Sequence, residues 1–223
     1  MYKRQHIKGI ISIKSYRQFV DLFYKNKEPK KLLRYLYDNI DQDSIEIDTI
    51  NHESGSAQME INFQHGDPLE LADQVFLFKR TLRQTALKHK LYATFMAKPF
   101  LESAGSGMHI HVSLKDGNGN PVFAHDKSDS TGFNENLQYA VGGLAETIKE
   151  RTAIFCPNAN SYRRFAPGFF APITPNWGPN HRNLSLRIPL SDDDNVRIEH
   201  RSAGADANPY LVCLLYTSPS PRD

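Results

Sequence analysis

The sequence predicts an α+β fold, a mainly antiparallel sheet flanked by helices. Three observations predict it. Several short stretches alternate polar and apolar residues with a period of two, which is the pattern of strands with two unlike faces. Longer stretches carry apolar residues at helical spacing. Helical and strand-like stretches also follow one another without a regular β-α-β rhythm, so neighbouring strands are expected to run antiparallel.

The elements follow in order. Residues 15–40 read as helix interrupted near Pro29, with Phe19, Leu22 and Phe23, then Leu32, Leu33 and Leu36, at helical spacings. Residues 45–50 and 58–64 alternate as strands. Asp67-Pro68-Leu69-Glu70 is a helix start: Asp67 can cap, Pro68 suits the first turn, and Glu70 stands three positions after the cap. That helix should reach about residue 90, burying Leu71, Val75, Phe78, Leu82 and Thr85. Strands are expected at 91–97 and 108–114, a turn at Asp116-Gly-Asn-Gly-Asn120, and a helix over 132–151. Residues 155–182, rich in Pro, Asn and Gly, read as a long ordered loop, a length that usually signals function. Strands return at 183–189 and 195–201.

The two ends stand apart. Residues 1–5 and 213–223 do not continue the local pattern and look like translated sequencing-adapter ends, so the native piece is expected to be 6–212, cut on both sides. Without Lys3, Arg4, Arg222 and Asp223 the 27 basic and 25 acidic side chains come into balance. No basic field then calls for nucleic acid or membrane. No apolar run is long enough to span a bilayer. Setting Cys213 aside leaves Cys156 alone, which suits a reducing, cytoplasmic setting.

The strand faces carry the chemistry. Gln58, Glu60, Asn62 and Gln64 oppose Met59, Ile61 and Phe63. His109, His111 and Ser113 oppose Met108, Ile110 and Val112; Asn183, Ser185 and Arg187 oppose Leu184, Leu186 and Ile188; Arg197, Glu199 and Arg201 oppose Val196, Ile198 and His200. A sheet with one wet face gives alternation too. These faces, however, hold His, Glu, Arg and Asn with no Lys. Glu53, Glu60, Glu199 and His109 could hold a hard divalent cation. Arg164, Arg182, Arg187, Arg197 and Arg201 could grip phosphates and a carboxylate. Phosphoryl transfer needs such a set. No Walker loop and no G-x-G-x-x-G is present. A zinc site at His109 and His111 has no Cys partners or H-E-x-x-H helix behind it, and Ser106 lacks the context of a nucleophile.

Lys98-Pro-Phe…Gly105-Ser-Gly-Met-His-Ile-His-Val-Ser-Leu114 resembles the ATP-binding signature of glutamine synthetases. Asn160-Ser-Tyr-Arg-Arg-Phe-Ala-Pro-Gly168, Arg182-Asn-Leu-Ser-Leu-Arg-Ile-Pro189 and Arg197-Ile-Glu-His-Arg201…Ala207-Asn-Pro-Tyr-Leu211 match further motifs in the family's order. The resemblance implies the curved-sheet, guanido-kinase-like catalytic domain of that family. It implies Glu53 and Glu60 as ligands of one Mg2+ or Mn2+, and His109 and Glu199 as ligands of a second on the ATP phosphates. It implies glutamate binding by Gly105, Arg164 and Arg201, and phosphoryl stabilisation by Arg182. His111, Ser113, Arg187 and Arg197 resemble ATP contacts. The implied enzyme phosphorylates the glutamate side chain, then lets an amine displace phosphate, and works as a homo-oligomeric ring, a dodecamer.

Three departures bear on that expectation. The family's Glu-x-Glu strand and N-terminal domain should lie upstream of residue 6, so the chain by itself is expected to be inactive. Ala104 stands where the family usually has Asn, and Phe170 stands where ammonia-using members carry a Glu. An aromatic ring accepts no proton but can pack on an alkyl chain. With the segments 57–67, 75–80 and 203–209, this points to the γ-glutamylputrescine synthetase branch and to putrescine or another polyamine as the amine. Ammonia is the alternative; a non-catalytic binding homologue is the alternative from another class.

Overall fold

The computed structural model describes residues 2–12, 47–55, 58–88 and 91–217. The predicted helix over 15–40 lies outside the described residues. The strands are β1 (Tyr2–Ser12), β2 (Ile47–His52), β3 (Gln58–Phe63), β4 (Tyr92–Thr94), β5 (Met108–Ser113), β6 (Thr174–Pro179), β7 (Leu184–Ile188) and β8 (Ile198–His200). The helices are α1 (Pro68–Lys88), α2 (Glu135–Phe155), the single turn α3 (Ala159–Tyr162) and α4 (Pro209–Thr217). The strands form one sheet in the order β2-β3-β1-β5-β8-β7-β6, with β4 paired to β1 beside that path. Among the described residues β6 and β7 are the pair that runs parallel, and the other pairings are antiparallel. The α+β class and the predominantly antiparallel sheet are as the alternation predicts.

Helix α1 shows why its sequence folds there. Asp67 Oδ1 accepts from the backbone N–H of Leu69 (2.8 Å) and of Glu70 (3.3 Å), filling donors that the first turn leaves unpaired. The predicted stripe Leu71, Val75, Phe78, Leu82 and Thr85 is buried, along with Ala72, Lys79 and Ala86. Phe78 packs edge-on against Phe63 of β3 (5.3 Å, 85°) and against Phe95 (6.0 Å, 74°). At the start of α2, Asn134 accepts from the Leu137 N–H at 3.0 Å.

The core lies on one face of the sheet. One cluster joins Ile61, Phe63, Met108 and Ile110 to α1, to Phe155 at the end of α2, and to Val212 of α4. A second joins Leu186, Ile188 and Ile198 to Leu137 and Val141 of α2 and to Phe123 and Phe133. Each fully buried Phe, Leu or Ile contributes about 1.5–3 kcal/mol. With the apolar side chains committed to the helices, the polar alternates of β3, β5, β7 and β8 face the other way.

Three expectations change. Residues 2–5, expected to break the pattern, run on as the start of β1, which pairs with both β3 and β5. Ladder hydrogen bonds are made by the backbone and accept any extended segment there. At the other end the helix does not give way at 213: it continues to Thr217, with Val212 and Cys213 buried. Leu214, Leu215 and Tyr216 tolerate a helix, and the Ser/Pro run starts only at Ser218. Finally, the loop over 155–182 contains α3 and β6. Pro175 and Pro179 lack N–H donors, and β6 is an edge strand, where such residues are tolerated.

Candidate active site

The charged and histidine alternates do not form a wet surface. They wall a cavity of about 450 Å³ lined by Glu53, Glu60, Gly105, His109, His111, Arg164, Phe170, Arg182, Arg187, Arg197, Glu199 and Arg201, and also by Ala104, Phe169 and Asn180. Every predicted site residue except Ser113 is in that lining. Ser113 lies next door, in a recess of about 150 Å³ that shares His111 and Arg197 and adds His65, Lys115, Asp194 and Asn195.

Register explains the convergence. Antiparallel pairing sets His111 of β5 against Glu199 of β8, and Arg187 of β7 against the same Glu199. The buried Glu199 carboxylate is therefore surrounded by cations. Arg201 Nη1 donates to Oε1 (2.5 Å), His109 Nδ1 lies 3.1 Å from the same oxygen, and Arg187 Nη1 donates to Oε2 (2.7 Å). Burial alone would push this carboxyl up; the hydrogen bond and charge of His109, with Arg201 and His111, outweigh it and hold Glu199 well below the usual carboxylate range. Arg197 Nε lies 3.0 Å from His111 Nδ1, and His111 Nε2 lies 4.0 Å from Glu199 Oε1.

Arg164 and Arg201 also shape the backbone. Arg164 is 3% exposed. Its Nη2 donates to the carbonyls of Arg201 (3.0 Å), Ser202 and Ala203 (3.0 Å). Burial pulls its guanidinium down to about 10. Arg201 Nε holds the Arg182 carbonyl (3.1 Å) and its Nη2 the Phe170 carbonyl (3.1 Å). Gly105 and Gly107 make room for this packing. A Cβ on Gly105 would fall 2.6 Å from Arg164 Cγ and 2.7 Å from the Ala97 oxygen; one on Gly107 would meet His109 Nε2 at 3.0 Å.

Phe170 stands at the mouth, 62% exposed and at φ 52. The left-handed region costs a bulky residue about 1–2 kcal/mol and persists only where the surroundings impose it. Among the described residues Asn180 is the other non-glycine residue at positive φ (47°), and its Oδ1 accepts from Arg187 Nη2 at 2.7 Å. Asn180, Phe169 and the Lys98 beneath it were given no site role from sequence, although Lys98 opens the signature run and Pro179-Asn180 and Pro167-Gly168 mark local turns.

The donor types suit a hard divalent cation, but the described set is incomplete for one. Among the described residues no three His, Cys, Asp or Glu side chains group closely enough to hold an ion. Both Glu199 oxygens are engaged by guanidinium groups. What the site offers is a strongly cationic, partly enclosed recess with carboxylates at its edges, suited to phosphate and carboxylate groups.

A site of this make-up on this sheet belongs to a defined class. The family model for the glutamine synthetase catalytic domain matches residues 6–215, and the chain belongs to that family. Among curated relatives, gamma-glutamylputrescine synthetase PuuA of Escherichia coli K12 is 45% identical over 161 residues, 72% of this chain and 34% of that protein. Glutamine synthetase of Pyrococcus horikoshii is 39% identical over 166 residues, 74% of this chain and 36% of that protein. Glutamate–isopropylamine ligase of a Pseudomonas species is 39% identical over 168 residues, 75% of this chain and 36% of that protein. The matched part of the chain spans about a third of the length of these relatives.

Proposed function

We propose that the chain is part of an ATP-dependent ligase that joins the side-chain carboxyl of glutamate to an amine, putrescine or another polyamine. The observation that carries this is the convergence of Glu199, His109 and five arginines on one cavity. A glutamate side-chain oxygen attacks the γ-phosphorus of ATP, and ADP leaves. The amine nitrogen then attacks the acyl carbon, phosphate leaves with its oxygen, and the amine gives up a proton.

In this reading Arg182 meets the transferring phosphoryl group, where fixed positive charge counts most in the transition state. Arg187, Arg197, His111 and Ser113 hold the nucleotide; Gly105, Arg164 and Arg201 hold glutamate. Magnesium or manganese, bound by His109 and Glu199 on one side and by Glu53 and Glu60 on the other, would neutralise phosphate charge. The full-length enzyme works in the cytoplasm as a homo-oligomeric ring. No helix among the described residues is long and apolar enough to cross a membrane.

Phe170 supports a larger amine over ammonia. It lines the cavity, is exposed, and has no group to accept a proton from ammonium. Relatives named for putrescine and for isopropylamine support the same choice, and the glutamine synthetases keep ammonia as the rival. Phosphate release by the full-length protein, measured with glutamate and ATP against low putrescine and low ammonia, decides it. Faster turnover with putrescine is expected; faster turnover with ammonia would reject the polyamine reading, and no release with either would reject the ligase.

A further inference from the structure

The turn that carries Phe170 is held from two sides. On one side Arg201 Nη2 grips the Phe170 carbonyl. On the other is Lys98, outside the cavity lining and 2% exposed. Its Nζ lies 3.6 Å from the centroid of the Phe169 ring and donates to the Ser103 carbonyl at 2.6 Å. Lys98 is itself fixed by a two-way pairing with Asn160: its N–H donates to Asn160 Oδ1 (2.8 Å) and its carbonyl accepts from Asn160 Nδ2 (2.8 Å). A buried ammonium that donates to one carbonyl gains further compensation from the aromatic face, alongside the charge of Glu102.

The arrangement has two consequences. Gly168 at φ 86 and Phe170 at φ 52 leave the short turn in a conformation that the chain does not favour alone. Anchoring the ring of Phe169 fixes the residue between them. One face of Phe169 is also spent on Lys98, which leaves the exposed ring of Phe170 as the larger free aromatic surface at the cavity. We propose that Lys98 is a positioning residue for the amine subsite: through the Phe169 ring it sets Phe170 for the alkyl chain of a cationic amine. This rests on the ligase reading above.

The test uses full-length enzyme and three variants: Lys98→Met, Lys98→Arg and Phe169→Leu. Phosphate release is titrated separately in putrescine, glutamate and ATP. Lys98→Met and Phe169→Leu should each raise the KM for putrescine by about tenfold, leave the KM for ATP and glutamate within about twofold, and lower kcat less than the putrescine KM rises. Lys98→Arg keeps a cation over the ring and should restore the putrescine KM. Phe169→Leu places no new group against the buried loop and covers the case in which Lys98→Met fails to fold. An unchanged putrescine KM, or all three KM values rising together, would overturn the positioning role while leaving the ligase intact. A wild-type enzyme with no amine-dependent release would instead reject the ligase reading itself, and this inference with it.

Discussion

Replacing Lys79 by methionine should change how stability depends on pH, in a direction that the structure fixes. Lys79 lies on the buried face of α1, 8% exposed, with its Nζ 3.1 Å from the Ala207 carbonyl. Burial, reinforced by the charge of Arg83 and opposed by that of Asp206, lowers its amine from 10.5 to about 8. In the unfolded chain the amine returns to its ordinary value. Between those two values the unfolded chain is protonated and the folded one is not, so stability rises with pH across the interval. Below pH 8 both states carry the proton, and the folded state bears the full cost of burying it. A gap of roughly 2.5 pH units corresponds to about 3 kcal/mol. Urea unfolding of the wild type and of Lys79→Met, followed from pH 7 to 10.5, isolates this group because the other titrations cancel in the difference. The advantage of the methionine variant should be largest at pH 7 and shrink by about 3 kcal/mol toward pH 10.5. A difference that stays constant across the interval would refute the assignment of a buried, depressed amine.

Two further outcomes test the site and the fold separately. Arg182→Ala in the full-length enzyme should lower kcat by about 100-fold or more while the KM for ATP moves by less than about threefold, read from steady-state phosphate release; unchanged turnover would remove the phosphoryl assignment. Asp67→Ala strips two backbone donors of α1 of their acceptor and should cost about 1 kcal/mol in urea unfolding, and an effect near zero would mean that solvent replaces the cap without loss.

Much of the candidate site was legible because a strand has a period of two. Once Met108, Ile110, Leu186 and Ile198 are assigned to a core, His109, His111, Arg187 and Glu199 must share the other face. Helix α1 was legible because the Asp67 cap and the apolar stripe agree. What the alternation cannot carry is which face-mates meet. Arg187 opposes Glu199 only because β7 and β8 pair in one register across the connection over 189–197. Strand β6 was hidden for a related reason. Its partner is β7, alongside it in parallel, and its own Thr-Pro-Asn-Trp-Gly-Pro has neither alternation nor a full set of donors. Lys98 opens the signature run but was given no role of its own, because a buried lysine on an aromatic face leaves no periodic trace.

The five arginines of the cavity are chemically alike in sequence, yet their surroundings separate them. Arg187 and Arg201 are bound to Glu199, Arg197 to His111 and the Asn195 carbonyl, and Arg164 to three consecutive carbonyls. Arg182 is exposed, and among the described residues its side chain makes no hydrogen bond or ion pair. Guanidinium groups already engaged with protein acceptors are held in place before a ligand arrives, which suits orientation and costs little rearrangement. A guanidinium with no such engagement can follow a group that moves. The transferring phosphoryl is the group that moves in the proposed reaction, and among the five Arg182 is the one whose surroundings leave it free to track that group.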